Sequence, residues 1–135
     1  MFERLVEISK ALNKDETLRC KHVSFILHKG KVVSIGQNHF KTHPIHVRRN
    51  PKWNSNGVEY SDRKPHCSEW SVIKNFLKRT NIPIGKCTLV NIRLDSFEQI
   101  RSSYPCESCR SLLSAVTPKR VFYTDNDGQF LEMNF

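Results

Sequence analysis

The sequence predicts a layered α/β domain with three helices and five strands, and three observations carry that prediction. Apolar residues recur at helical spacing, then at alternating positions, then at helical spacing again, giving the order helix, two strands, helix, strand, helix, two strands. The middle strand, Cys87 to Leu94, is apolar at nearly every position (Leu89, Val90, Ile92, Leu94), as a strand covered on both faces would be. The turn between the last two strands, Asp125-Asn126-Asp127-Gly128, is too short for a parallel crossover, so that pair is antiparallel.

The first helix carries Phe2, Leu5, Val6, Ile8 and Leu12 and ends near Asn13-Lys14-Asp15. Val23, Phe25 and Leu27 then alternate in a strand from His22 to Lys29. Lys29-Gly30-Lys31 turns the chain into a second strand through Val32, Val33 and Ile35, which closes at Gly36-Gln37-Asn38. A helix from Cys67 to about Arg79 has Trp70, Ile73 and Leu77 on one stripe with Val72 and Phe76 beside it, an apolar surface wide enough to lie on a sheet. Asn81-Ile82-Pro83-Ile84-Gly85 breaks it. Between Asp95 and Ser103 the pattern allows one short helical turn. Pro105 then stands at a third helix start, where its missing N–H costs little, and that helix carries Leu112, Leu113 and Val116 and stops before Pro118. The last two strands are Arg120 to Thr124 and the stretch holding Phe130, Leu131 and Met133.

No repeat, linker or second domain is visible, so residues 1–135 read as one domain with a long basic loop at about 39–65. The composition, 38% hydrophobic and 26% charged, is that of a globular chain and excludes a disordered one. No apolar run approaches the ~18–20 residues that span a bilayer, and the acids within Met1 to Glu7 argue against a signal peptide. The expected location is the cytoplasm, with no membrane partner. Five cysteines make an odd number for a disulfide framework; Cys20 and Cys87, which share no motif, read as buried structural thiols.

The net charge of +9 favours anionic partners, nucleotides or nucleic acid. It concentrates between Lys41 and Lys64, where six cations (Lys41, Arg48, Arg49, Lys52, Arg63, Lys64) face only Glu59 and Asp62, with Trp53 and Tyr60 interleaved. Arg48, Arg49, Lys52, Trp53 and Arg63 are candidates to contact phosphates or stack on bases. A solvated loop pinned to the core by its two aromatics has the same pattern. His39, His43 and His46 offer a second metal site or are scattered surface histidines.

The chemistry concentrates in two clusters, Cys67-Ser68-Glu69 and Pro105-Cys106-Glu107-Ser108-Cys109, each at a helix start. Zinc takes thiolate and imidazole ligands in tetrahedral array, and a catalytic site keeps one position for water. Cys67, Cys106 and Cys109 supply three ligands. Helix N-termini stabilise thiolates through their free N–H groups and dipole, and Cys106 and Cys109 share one helical face. Glu69, two residues after a ligand, can carry a proton to and from water activated by the metal. The alternative is a closed zinc knot with His66 as the fourth ligand.

These clusters resemble the signature of the zinc-dependent cytidine and deoxycytidylate deaminase superfamily, His/Cys-x-Glu followed by Pro-Cys-x-x-Cys. Gly36-Gln37-Asn38 is similar to the Gly-x-Asn that ends the second strand in many members. The resemblance covers most of the chain and implies a three-layer fold, a five-stranded mixed sheet flanked by helices. It implies Zn²⁺ held by Cys67, Cys106 and Cys109, Glu69 as catalytic proton carrier, and Asn38 on the sugar or base. His66 is the alternative ligand, but the family's single residue between ligand and glutamate selects Cys67. Three thiolates leave the site negative, and Arg110 or Arg63 is a candidate cation to offset that. Phe25 and Trp70 lie near the implied pocket, with core packing as their expected role.

The three-cysteine site and the antiparallel last pair resemble the family's free-cytidine branch, whose members often form homo-oligomers; no residue of this chain decides that point. The expected function is hydrolytic deamination of cytidine, deoxycytidine or their monophosphates. The basic loop is more than so small a substrate requires. It supports the alternative of a polynucleotide cytosine or adenine deaminase, and a non-catalytic zinc-stabilised nucleic-acid-binding module is the second alternative.

Overall fold

The structure, a computed structural model, describes residues 2–12, 21–38 and 67–134. Three helices are found among them, α1 (Phe2–Leu12), α2 (Ser68–Arg79) and α3 (Glu107–Val116). The described strands are β1 (Lys21–His28), β2 (Lys31–Gln37), β3 (Thr88–Leu94), β4 (Ile100–Arg101), β5 (Arg120–Thr124) and β6 (Phe130–Met133), and a 3-10 turn spans Ile84–Lys86. No described helix is long and apolar enough to cross a membrane.

The sheet is mixed and open, in the order β2-β1-β3-β5-β6, with β4 paired to β3. It therefore has six strands, not the five expected. The difference lies between Asp95 and Ser103, where the expected helical turn is a hairpin joining the end of β3 to β4. Asp95 causes it: its Oδ1 accepts from the backbone N–H of Phe97 and Gln99, both at 2.8–2.9 Å, and Glu98 takes φ +61°, turning the chain back on itself. These bonds, that from Gln99 first, hold the Asp95 carboxyl below its ordinary range, and Arg101 adds a salt bridge at 2.9 Å. Asp125 Oδ1 accepts the equivalent pair of turn bonds, from the N–H groups of Asp127 and Gln129, between β5 and β6, which pair antiparallel as expected. There Gly128 holds the left-handed position at φ +83°. Lys29 (φ +53°) and Gly30 (φ +78°) make the two-residue turn of the β1–β2 hairpin, a twist that matches the flanking strands.

Alternation along the strands divides the core between two faces. Val23, Phe25 and Leu27 of β1 and Val90, Ile92 and Leu94 of β3 pack under Leu5 of α1. Ile26, Leu89 and Val121 point the other way, onto Val72, Ile73 and Phe76 of α2 and Leu113 of α3. Helices thus cover both faces. Cys87 is buried in the second cluster, as its lack of a motif suggested, while Cys20 lies outside the described residues.

Strand direction places the site. β2 and β3 each pair antiparallel with β1, and β5 runs parallel to β3, so β2, β3 and β5 all end at one end of the sheet. α2 starts there, against the end of β2, because Gly36 admits it: a Cβ at Gly36 would sit 2.3 Å from the Val72 nitrogen and 2.7 Å from the Ser68 carbonyl oxygen. Ser34 Oγ donates to the Val72 carbonyl at 2.9 Å and Asn75 Nδ2 to the Ile35 carbonyl at 3.2 Å, fixing the helix along the strand.

Candidate metal centre

Cys67 and Cys106 are the N-cap residues of α2 and α3, both in extended conformation. An N-cap side chain usually accepts a hydrogen bond from the first turn, worth about 1 kcal/mol. Neither cysteine does so. Their sulfurs instead meet Cys109 from the first turn of α3, and the three Sγ atoms lie within 4.8 Å of one another.

The approach to Cys106 is sewn to the sheet. Ser103 Oγ donates to the Asn91 carbonyl at 2.9 Å and accepts from the Thr124 N–H at 2.7 Å, while the Ser103 N–H donates to the Thr124 carbonyl at 2.8 Å. Thr124 Oγ1 lies 2.7 Å from the Arg101 carbonyl. The ends of β3 and β5 thereby hold residues 101–106 in place, and the second cysteine cluster arrives beside the first.

The electrostatics of the cluster follow from proximity. A hydrogen bond from the Cys109 thiol lowers the pKa of Cys67, against burial and the Glu69 charge, with Cys106 adding a second, smaller hydrogen bond. Cys109, as that donor, is driven up, and burial, Glu69 and its two sulfur neighbours push it further. Three thiols in this space cannot all ionise alone. A divalent cation removes that repulsion, and tetrahedral zinc with sulfur at ~2.3 Å would set the sulfurs about 3.8 Å apart. The donor set therefore fits a thiophilic metal such as zinc.

Glu69 stands beside the thiols in the first turn of α2, 5% exposed. Its Oε1 accepts from Ser68 Oγ at 2.9 Å, and Ser68 Oγ lies 2.8 Å from Ser24 Oγ, which bonds in turn to Asn91 Oδ1. Ser24, Ser68 and Asn91 are all buried. This polar line crosses from α2 through β1 to β3, and no motif in the sequence marks it. The available signal was Ser24 and Asn91 interrupting otherwise apolar strands, since a buried polar side chain needs a partner.

The remaining candidates separate. Asn38 Oδ1 accepts from the His22 N–H at 2.9 Å and its own N–H donates to the His22 carbonyl at 3.1 Å, so it extends the β1–β2 ladder at the site's end of the sheet. Phe25 is fully buried on the α1 face. Trp70 is half-buried and lines a cavity of about 370 Å³ with Ser108, Cys109, Ser111 and Leu112. Arg110 donates to the Pro105 carbonyl at 3.4 Å and lies 5.1 Å over the Tyr104 ring. Arg48, Arg49, Lys52, Trp53, Arg63 and His66, with the other residues of 39–65, expected to form a basic loop, and their histidines, lie outside the described residues. A larger cavity of about 960 Å³ shares no residue with the cluster. In comparisons with known proteins the chain matches no family model and no curated protein.

Proposed function

We propose that this protein is a zinc-dependent hydrolytic deaminase that converts the cytosine ring of a nucleoside or nucleotide to uracil and releases ammonia. The observation that carries the reading is a buried carboxylate, Glu69, beside three converging thiols where two helices start. Cys67, Cys106 and Cys109 would hold the metal, which when bound supplies the Lewis acidity that makes water nucleophilic near neutral pH. Glu69 takes a proton from the attacking water and places it on the ring nitrogen beside the amino-bearing carbon. It then passes the second proton to the departing amine, so that cytosine and water become uracil and ammonia.

The polar line behind Glu69 suits that duty. Each hydroxyl has one proton, so Ser68 donates either to Glu69 Oε1 or back to Ser24. The first arrangement serves a carboxylate and the second a carboxylic acid, the two states between which a proton carrier passes. Asn38, at the end of β2, is the proposed contact to sugar or base.

The net charge of +9 and the six cations from Lys41 to Lys64 favour a second reading, in which the cytosine or adenine lies in a single-stranded polynucleotide. The test is ammonia release by the zinc-loaded protein from cytosine, cytidine, deoxycytidine, both monophosphates, adenosine and single-stranded DNA and RNA. Turnover of a free cytosine nucleoside or its monophosphate is expected. Turnover of oligonucleotides alone would replace the first reading with the second, and zinc binding without any turnover would leave a binding module.

A further inference from the structure

The larger cavity lies at the far end of the sheet from the thiols, where β1 ends and β3 and β5 begin, and its volume is about 960 Å³. Three separate segments bring a lysine to its wall: Lys29 from the β1–β2 turn, Lys86 from the 3-10 turn and Lys119 from the entry to β5. All three are exposed, and none forms an ion pair with a described residue. Among the described residues, none that lines the cavity carries a carboxylate. Arg120 also lines the cavity, but its charge is already answered: it donates to both Glu132 carboxylate oxygens, at 2.8 and 3.1 Å, and lies 4.8 Å over the Phe122 ring.

The rest of the described wall is largely apolar, with His28 and Thr88 as its polar side chains. Phe2 stacks on Phe130 with centroids 4.2 Å apart and meets Phe122 edge-on at 5.3 Å, and both Phe2 and Phe122 line the cavity. Unanswered cations beside aromatic rings suit a ligand that joins negative charge to a planar ring. The volume is that of a small-molecule pocket, ~300–1,000 Å³, and far exceeds what a bare phosphate would fill.

We propose that this basin binds a nucleotide, its phosphate chain among Lys29, Lys86 and Lys119 and its base against Phe2 and Phe122. The site is separate from the thiol cluster and does not depend on the reaction proposed there.

Calorimetric titration of the zinc-loaded protein tests it, with adenosine triphosphate, inorganic tripolyphosphate and a ten-nucleotide oligothymidylate as probes. The triphosphate nucleotide should saturate one site and bind about tenfold more tightly than tripolyphosphate, the difference that ring stacking supplies. The double variant Lys86→Glu/Lys119→Glu, altered only at exposed positions, should weaken nucleotide binding by at least about tenfold at unchanged zinc content and circular dichroism. Glu69→Ala should leave that binding as it was. Absence of saturable nucleotide binding, or insensitivity to the double variant, would overturn the proposal. Tripolyphosphate binding as tightly as the nucleotide would remove the base from it. Tighter binding of the oligothymidylate, lost in the double variant, would reassign the basin to single-stranded nucleic acid and overturn the nucleotide as its ligand.

Discussion

The two ends of the sheet handle charge in opposite ways. At the end where β2, β3 and β5 finish, polar groups are buried and each is held by another: Glu69 by Ser68, Ser68 by Ser24, Ser24 by Asn91, and Cys67 by Cys109. At the other end the lysines stand exposed around a cavity that Phe2 and Phe122 also line, and among the described residues Arg120 alone of its cations has an acid partner. Burial explains the contrast. An unpartnered polar group in the interior costs about 1–3 kcal/mol, whereas an exposed lysine loses little by standing alone in water. The thiol end is therefore over-determined and intolerant of change, while the lysine end can be altered without disturbing the fold.

Substitutions test that difference in order of size. Gly36→Ala should do most harm, because its Cβ would meet the backbone of α2 at 2.3 Å, where no side-chain rotation can relieve the clash. A loss of about 3 kcal/mol or more in urea unfolding is expected, with reduced zinc content, since the helix that carries Cys67 must move. Unchanged stability and full zinc would show that α2 does not rest on β2 as described.

Ser24→Ala should cost less, about 1–3 kcal/mol, since it leaves Ser68 and Asn91 buried with one partner fewer. Zinc should remain bound, and turnover should fall by more than the stability loss explains. A variant that loses stability but keeps its full turnover would reduce the line to a packing element.

The last effect emerges only in acid. Burial, with the Arg93 charge beside it, lowers His22 from 6.5 to about 4. Between those values the unfolded chain takes up a proton that the folded one refuses. The contribution of neutral His22 is complete above pH 6.5 and is lost as pH falls toward 4, by at most about 3 kcal/mol. His22→Gln should flatten the stability profile across that window relative to the parent protein at equal metal content. Its ties to Asn38 run through the backbone and survive the change. Parallel profiles for the two proteins would remove His22 as the source of the acid sensitivity.

How much was legible in the sequence differs along the same axis. β5 is found where its pattern placed it, Arg120–Thr124, and α2 begins one residue after the cysteine that marked it. The thiol cluster was legible because two short motifs carry it. β4 was not, although its turn is chemically the one at Asp125. Glycine at position 128 advertises a left-handed residue, and glutamate at 98 in the same conformation does not. The Ser24–Asn91 line was hidden because its members are single residues of different strands, joined only by register. The lysine basin was hidden for a similar reason, as three distant segments supply its cations. Gly36 belongs to a legible motif, but its steric reason appears only once α2 is laid against β2.

The central claim is that Glu69 performs chemistry beside a metal held by three cysteines. Zinc content and ammonia release, measured together on the parent protein and on Glu69→Ala, test it most directly. About one zinc per chain in both proteins is expected, with turnover of a cytosine nucleoside or nucleotide in the parent and a loss of about 10²–10⁴-fold in the variant. Equal turnover in the two proteins, or a parent protein that binds no zinc, would contradict the account.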